Sequence, residues 1–326
     1  MSTLLDIRDL AVTYAVPGDG LWAPAHRLRA LDGVSLTLAP GETLGVVGES
    51  GCGKSTLARA ILGLVPAAAG QVSWLGQDIA RLDRRGMRGM RRDLQIVFQD
   101  PLASLDPRMT AGHIIAEPLV THEPGLGRAT VAARVAAAMA RVGLDPRHLN
   151  RYPHEFSGGQ CQRIAIARAT ILEPKLVVCD EPVSALDVSI QAQIVNLLVR
   201  MQSELGLALI FITHNLAVVR HVSHRIAVLY LGRLVEIGPA AQVFHAPRHP
   251  YAQALIAALP VADPDLEQAR ARPSLEGDPP SPLSPPSGCA FRTRCAHAIA
   301  RCAAERPALE TDGAHAVACH RWRELA

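Results

Sequence analysis

Apolar and polar positions alternate along Leu5-Asp6-Ile7 and Leu10-Ala11-Val12-Thr13-Tyr14 with the period of two that a half-buried strand requires. Val16 to His26 breaks the pattern with Pro, Gly and Trp and is expected to be a loop. Leu31-Asp32-Gly33-Val34-Ser35-Leu36-Thr37-Leu38 is again strand-like, Pro40-Gly41 is a turn, and Thr43-Leu44-Gly45-Val46-Val47 is a short apolar strand running directly into Gly48. A helix is expected from Ser55 to Leu64 and a strand over Leu94-Gln95-Ile96-Val97-Phe98, ending at Gln99. Residues 100–170 read as mostly helical, with an Ala-rich stretch from Val131 to Met139. Leu176 to Cys179 has the pattern of a buried strand, Ile190 to Leu205 has helical periodicity, and Ala208 to Thr213 is a further strand. Ile226 to Leu231 and Leu234 to Ile237 flank Gly232-Arg233 as a hairpin. The alternation predicts an α/β core with a helical insertion.

The pattern changes after residue 259. Residues 260–287 hold many of the prolines, including Pro279-Pro280-Ser281-Pro282-Leu283-Ser284-Pro285-Pro286, and read as a linker in extended conformation. Four of the seven cysteines follow it. A chain of 326 residues fits one large domain with an appendage, and 49% hydrophobic residues exclude disorder of the whole. The net charge of +3 is mild, which argues against a nucleic-acid partner, since such proteins concentrate a basic face. The basic run Arg81 to Arg92 is expected to be a solvated helix or loop. No apolar run reaches the roughly 18–20 residues that span a bilayer, and the amino terminus lacks the apolar core of a signal peptide. A cytoplasmic protein is expected, meeting a membrane only through partners.

Only two lysines occur, Lys54 and Lys175. Lys54 lies in Gly48-Glu49-Ser50-Gly51-Cys52-Gly53-Lys54-Ser55, a full phosphate-loop pattern between an expected strand and an expected helix. The glycines let backbone N–H groups turn around phosphates, and the helix adds its positive end. Lys54 would bridge the β- and γ-phosphates of ATP, Ser55 would bind Mg²⁺, and Thr56 would lie near the α-phosphate. Asp180 ends an apolar strand, where it can hold Mg²⁺ through water, and Glu181 can polarise the attacking water. Ser157-Gly158-Gly159-Gln160 precedes an expected helix from Cys161 to Leu172 and offers a hydroxyl, two glycine amides and a helix N-terminus to an anion. Tyr14 is the best candidate to stack on adenine.

These three segments in this order resemble the ATP-binding cassette family. The resemblance implies an α/β P-loop cassette with a β-rich N-terminal subdomain, a helical signature subdomain over about 100–170, and a small Cys-containing C-terminal extension. It implies that Ser157 to Gln160 closes on the γ-phosphate held by a second subunit. It also gives roles to Gln99 at Mg²⁺ and the water, to His214 at the γ-phosphate, and to Asp187 in the loop that bridges subunits. Two departures stand out: Cys161, where Arg or Gln is usual, and Asn215, where Asp is usual. Neither removes a phosphate contact, and Cys161 reads as a buried, inert thiol ahead of the alternative of a redox-sensitive one.

Further segments resemble the ATPases of bacterial dipeptide and oligopeptide importers, most of all the second ATPase of the dipeptide type. They are Gln99-Asp100-Pro101, Ser104-Leu105-Asp106-Pro107-Arg108, Tyr152-Pro153-His154-Glu155-Phe156-Ser157, Asp180 to Val188, Pro247-Arg248-His249-Pro250-Tyr251, Pro282 to Cys289 and the insert Gly20-Leu21-Trp22-Ala23-Pro24. The resemblance implies a cassette over 1–259, the linker over 260–287 and a four-cysteine module over 288–326. It implies a peripheral ATPase (a peptide translocase) on the cytoplasmic face of the inner membrane. The implied partners are a paralogous ATPase in a heterodimer, two membrane permeases and an extracytoplasmic peptide-binding protein. Cys289, Cys295, Cys302 and Cys319 can hold zinc or an iron–sulfur cluster, or stay free, with His297 and His320 near enough in sequence to substitute. The resemblance implies a [4Fe–4S] cluster. An importer of nickel, glutathione or an opine remains an alternative, as do a soluble cassette ATPase and a non-catalytic regulatory subunit.

Overall fold

In a computed structural model describing residues 3–18, 25–259 and 277–325, the first alternating stretches become strands Leu5–Val16 (β1) and His26–Leu38 (β2). The apolar run Thr43–Val47 (β3) is buried at every position and leads to helix Lys54–Ile61 (α1). Strands Ala69–Trp74 (β4) and Gln77–Asp78 (β5), helix Arg84–Asp93 (α2) and strand Leu94–Val97 (β6) follow. Next come helices Pro101–Ser104 (α3), Ala111–His122 (α4), Arg128–Arg141 (α5) and Gly158–Thr170 (α6). Strand Leu176–Asp180 (β7), helix Val188–Leu205 (α7) and strand Ala208–Ile212 (β8) precede helix Leu216–Val222 (α8). The chain continues through Arg225–Tyr230 (β9), Arg233–Pro239 (β10), Ala240–His245 (α9) and Pro250–Ala257 (α10). It closes with Ala300–Ala304 (α11), Glu310–Asp312 (β11), His315–Val317 (β12) and Trp322–Leu325 (α12). Among the described residues no helix is long and apolar enough to cross a membrane.

The chain divides into two units, which interleave in sequence. The first comprises Met1–Leu5, Leu38–Thr43 and Trp74–Thr213. Its strands β6, β7 and β8 pair in parallel, and every residue of β7 and β8 is buried, as expected for strands covered on both faces. Helix α7 turns Ile194, Leu197, Leu198 and Met201 inward at helical spacing and ends on Gly206 in the left-handed conformation. Helices α4, α5 and α6 form the helical insertion, and Thr110 Oγ1 caps α4 by accepting from His113 N. The basic run is helical over α2, where Asp83 caps the start.

The second unit comprises Asp6–Thr37, Leu44–Ser73 and His214–Ala326. Strand β3 pairs in parallel with β9, β10 returns antiparallel to β9, and β12 adds to β10 with β11 outside it. Strands β2, β1 and β4 lie side by side in a separate sheet. The carboxyl-terminal residues therefore join this unit's sheet and core. Ala290 and Phe291 pack with Val228, Tyr230, Val235, Phe244 and Tyr251. Tyr230 and Tyr251 stand 4.7 Å apart centroid to centroid, and Phe291 meets Tyr230 edge-on at 5.3 Å, contacts that favour this arrangement beyond area burial.

Glu236 is a polar joint inside that core. Its side chain is 0% exposed and accepts from Arg248 N, His249 N and His315 Nε2, at 2.7–3.2 Å. It thus ties β10 to both the Pro247–Tyr251 turn and β12. Glu236→Ala is expected to cost about 3 kcal/mol, because three donors, two of them buried, lose their acceptor. Denaturant unfolding of the full chain checks this, and an unchanged midpoint would remove Glu236 from the role.

Several expectations shift in detail. The two amino-terminal strand patterns are one strand, kinked at Asp9, whose φ is +47° and whose N–H donates to Ser35 Oγ. Strand β2 starts five residues before Leu31, in a mostly exposed segment where Leu28 and Ala30 alternate with Arg27 and Arg29. The hairpin turn is Leu231-Gly232 rather than Gly232-Arg233, with φ +44° and +73°, the signs of a type I′ turn. Leu231 hides that turn, since it reads as strand. The expected insert Gly20 to Pro24 and residues 260–276 of the expected linker lie outside the described residues. The remainder of the linker is not uniformly extended, for Ser284 N–H turns back to Ser281 O at 3.0 Å.

Candidate nucleotide site

Strand β3 delivers Gly48 at the end of a buried parallel strand, and residues 48–53 loop into α1. Gly53 has φ +106°, and a Cβ there would stand 2.4 Å from Ala30 O, so only glycine fits. Ser50 and Gly51 are exposed at the tip, and Ser55 and Thr56 fall in the first turn of α1. No side chain caps α1 and no acid lies in its first turn, which leaves its positive end suited to an anion. Lys54 is 5% exposed, and its ammonium donates to Gly48 O at 2.8 Å and Glu49 O at 2.9 Å. The cation is thus drawn into the loop by two of its own carbonyls. Cys52 lies beside it, and burial pushes that thiol upward in pKa although the ammonium opposes the shift.

The same unit places two further candidates. Tyr14 is half-buried on β1, and its hydroxyl makes no hydrogen bond among the described residues. His214 is exposed just before α8, and Asn215 caps that helix by accepting from Ala217 N and Val218 N. An amide oxygen serves that cap as a carboxylate would, which accounts for Asn at this position.

In the other unit Asp180 ends β7 and is nearly buried, and Glu181 follows with φ +48°. A non-glycine residue in the left-handed region is strained and persists where its surroundings fix it. Here Glu181 N–H donates to Ile212 O at 2.9 Å, at the end of the neighbouring strand β8. Gln99 Nε2 donates to Glu181 Oε2 at 3.2 Å, so two candidates far apart in sequence meet.

Ser157 and Gln160 form a reciprocal capping box at the start of α6. Ser157 and Gly158 stand at the surface. Gly159 lies against Ile190, so closely that a Cβ would come within 2.6 Å of it. The segment therefore shares a surface with the start of α7, where Asp187 is exposed and Val188 is 81% exposed. Cys161 is buried as expected, its thiol donates to Pro153 O, and burial raises its pKa.

The tail cysteines are free thiols grouped in one unit. Cys289 N–H donates to Cys302 O at 2.8 Å. Burial pushes the Cys319 thiol up to about 11, and Cys289, Cys295 and Cys302 each add to that rise. Among the described residues no group of three or more His, Cys, Asp or Glu is arranged to hold a metal ion. His320 Nε2 instead pairs with Glu305 O.

Two residues next to the phosphate loop carried no individual role in the sequence. Tyr251 Oη accepts from Glu49 N–H at 2.9 Å, and Arg294 grips the Glu49 carboxylate through both terminal nitrogens at 2.9 and 3.0 Å. Burial works against the Arg294 charge, but Glu49 holds its pKa above the ordinary arginine value. Separations of 202 and 245 residues leave no local pattern that could disclose these contacts.

Residues 31–184 match the ABC transporter family, and residues 235–302 match the oligopeptide/dipeptide transporter C-terminal region. The chain is 60% identical over 318 residues to the oligopeptide transport ATP-binding protein OppF of Salmonella typhimurium, covering 97% of this chain and 95% of that protein. It is 49% identical to the di/tripeptide transport ATP-binding protein DppF of Pseudomonas aeruginosa, covering 100% and 99%. Among solved structures, the dimeric ATP-binding cassette MJ0796 bound to ADP and Pi superposes with a TM-score of 0.65 at 29% identity, over 72% of this chain and 98% of that one. The cassette cbiO1 of Clostridium perfringens, part of the cbiONQ transporter complex, gives 0.65 at 29% identity, over 76% and 92%. The chain belongs to the ATP-binding subunits of peptide ABC transporters.

Proposed function

We propose that this chain binds and hydrolyses ATP to drive import of di- and oligopeptides. The observation that carries this reading is the presence of both the cassette and the peptide-transporter C-terminal region on a chain matching its relatives over nearly their whole length. Residues 48–56 would hold the nucleotide phosphates, with Lys54 at the β- and γ-phosphates and Tyr14 at adenine. Ser55, Gln99 and Asp180 offer hydroxyl, amide and carboxylate oxygens, the hard donors that Mg²⁺ takes. When bound, the ion would neutralise charge on the phosphate oxygens.

Phosphoryl transfer asks little covalent chemistry of a protein, so catalysis is positioning and electrostatics. Glu181 would accept a hydrogen bond from the attacking water, with Gln99 fixing the carboxylate's orientation through the bond already present. His214 would donate to the γ-phosphate. Ser157 to Gln160 and Asp187 would serve the phosphate loop of a second subunit, and their shared exposed face supports that reading. ATP would close the two subunits together, and hydrolysis would release them.

The second subunit is proposed to be a related ATPase, the complex to include two permeases and an external peptide-binding protein, and the site of action to be the cytoplasmic face of the inner membrane. An apolar groove of about 340 Å³ in the helical insertion, lined by Ala116, Val120, Leu126, Val131 and Leu149, supports a permease contact. The proposed division is 1–259 for the cassette, 260–287 for the linker and 288–326 for the four-cysteine module. Cys289, Cys295, Cys302 and Cys319 are proposed to hold a [4Fe–4S] cluster. Four free thiols brought into one unit, with Cys289 N–H donating to Cys302 O, are what that reading rests on. The cluster would brace the carboxyl-terminal segment.

Affinity purification of the chain from native membranes under anaerobic conditions tests the assembly. Two multi-span permeases, a second cassette ATPase and bound iron are expected. Ribosomal partners, or none from the membrane, would contradict the transport reading, and absence of iron would contradict the cluster.

A further inference from the structure

Glu49 is the second residue of the proposed phosphate loop, and all its polar groups are engaged. Its carbonyl accepts from Lys54 Nζ, its N–H donates to Tyr251 Oη, and its carboxylate receives the Arg294 fork. Neither outside partner is a loose surface contact. Tyr251 is fully buried, and the Arg294 side chain is 5% exposed. A bidentate guanidinium–carboxylate pair, here with the guanidinium nearly buried and the carboxylate half-buried, is geometrically specific. Its anchor is rigid as well: Arg294 N–H donates to Phe291 O at 3.0 Å, and the Phe291 ring is wedged against Tyr230 and Tyr251. One turn of the tail therefore sinks an aromatic ring into the core and lays a guanidinium on the phosphate loop.

We infer that Arg294 and Tyr251 are positioning residues for ATP: they clamp Glu49 from outside and so hold the phosphate loop in its anion-cradling shape before nucleotide arrives. The inference rests on the reading of residues 48–56 as that loop. A glycine-rich loop left alone samples many conformations, and ordering it would weaken the binding step. A clamp that orders it in advance removes that cost and raises affinity. Once ATP is bound the loop has the same shape with or without the clamp. The chemical step, at Glu181 and Gln99, is then unaffected. The signature is a change in KM for ATP with kcat preserved.

Steady-state hydrolysis of Mg-ATP by the full chain in its purified complex tests this. Arg294→Gln and Glu49→Gln are each expected to raise KM about tenfold, and the double substitution also about tenfold rather than the roughly hundredfold of independent effects. Tyr251→Phe removes one oxygen, keeps the packed ring, and is expected to raise KM about threefold with kcat within about twofold. It carries the test if Arg294→Gln fails to fold. Unchanged KM in Arg294→Gln and Tyr251→Phe, alongside lost ATP binding in Lys54→Ala, would overturn the clamp and leave the loop assignment standing. Additive effects in the double variant, or a fall in kcat at constant KM, would overturn the clamp too. Undiminished ATP binding in Lys54→Ala would instead overturn the loop assignment itself.

Discussion

Glu181→Gln is expected to bind ATP with undiminished affinity and to lose about 10²–10⁴-fold in turnover, the range a positioned general base contributes. The substitution preserves volume, so Gln99 keeps a neighbour of the same shape 3.2 Å away, but the group that accepts a proton is gone. The backbone supports the assignment independently of the side chain. Glu181 holds φ at +48° directly after the buried end of β7, and its N–H is pinned to Ile212 O. Strain of this kind costs about 1–3 kcal/mol and persists where the surroundings over-determine it. Single-turnover hydrolysis separates the steps, and ATP should accumulate with a closed dimer of subunits. Wild-type turnover in the variant would remove Glu181 from the reaction.

Lys54→Ala is expected to weaken ATP binding by about 10²-fold or more. Hydrogen bonds to charged groups contribute about 1.5–3 kcal/mol each, and this ammonium would serve two phosphates. Lys54→Arg should rescue little. The lysine head sits 5% exposed between Gly48 O and Glu49 O, a socket sized for a compact ammonium and not for a planar fork. Folding should survive the alanine change, since it removes a buried charge along with its hydrogen bonds. Equilibrium ATP binding by the full chain, compared with its melting temperature, distinguishes the two effects, and retained affinity would contradict the phosphate-loop assignment.

What the sequence disclosed was local. A phosphate loop is a short run of consecutive residues between a strand and a helix, and each part has a short-range signal: apolar run, glycines, lysine. The same holds for β7 ending in Asp180 and for α6 opening on Ser157 and Gln160. The Gln99–Glu181 bond is long-range, yet both partners lie just past the ends of parallel strands, so the strand pattern placed them on one sheet edge. The Glu49–Arg294 clamp had no such cue, because its residues sit in a loop and a turn 245 positions apart in sequence. Strands β11 and β12 are three residues each, too short for periodicity to register, and the one is wholly exposed while the other is wholly buried. The joint at Glu236 looked like an ordinary acid in a strand, and only the folded partners His249 and His315 explain its burial.

The measurement that tests the central claim most directly is uptake of labelled di- and oligopeptides into vesicles carrying the reconstituted complex with its binding protein. The account predicts ATP-dependent accumulation with the wild-type chain and none with Glu181→Gln. Steady ATP hydrolysis without any peptide accumulation would contradict it and leave an ATPase that drives the transport of another solute.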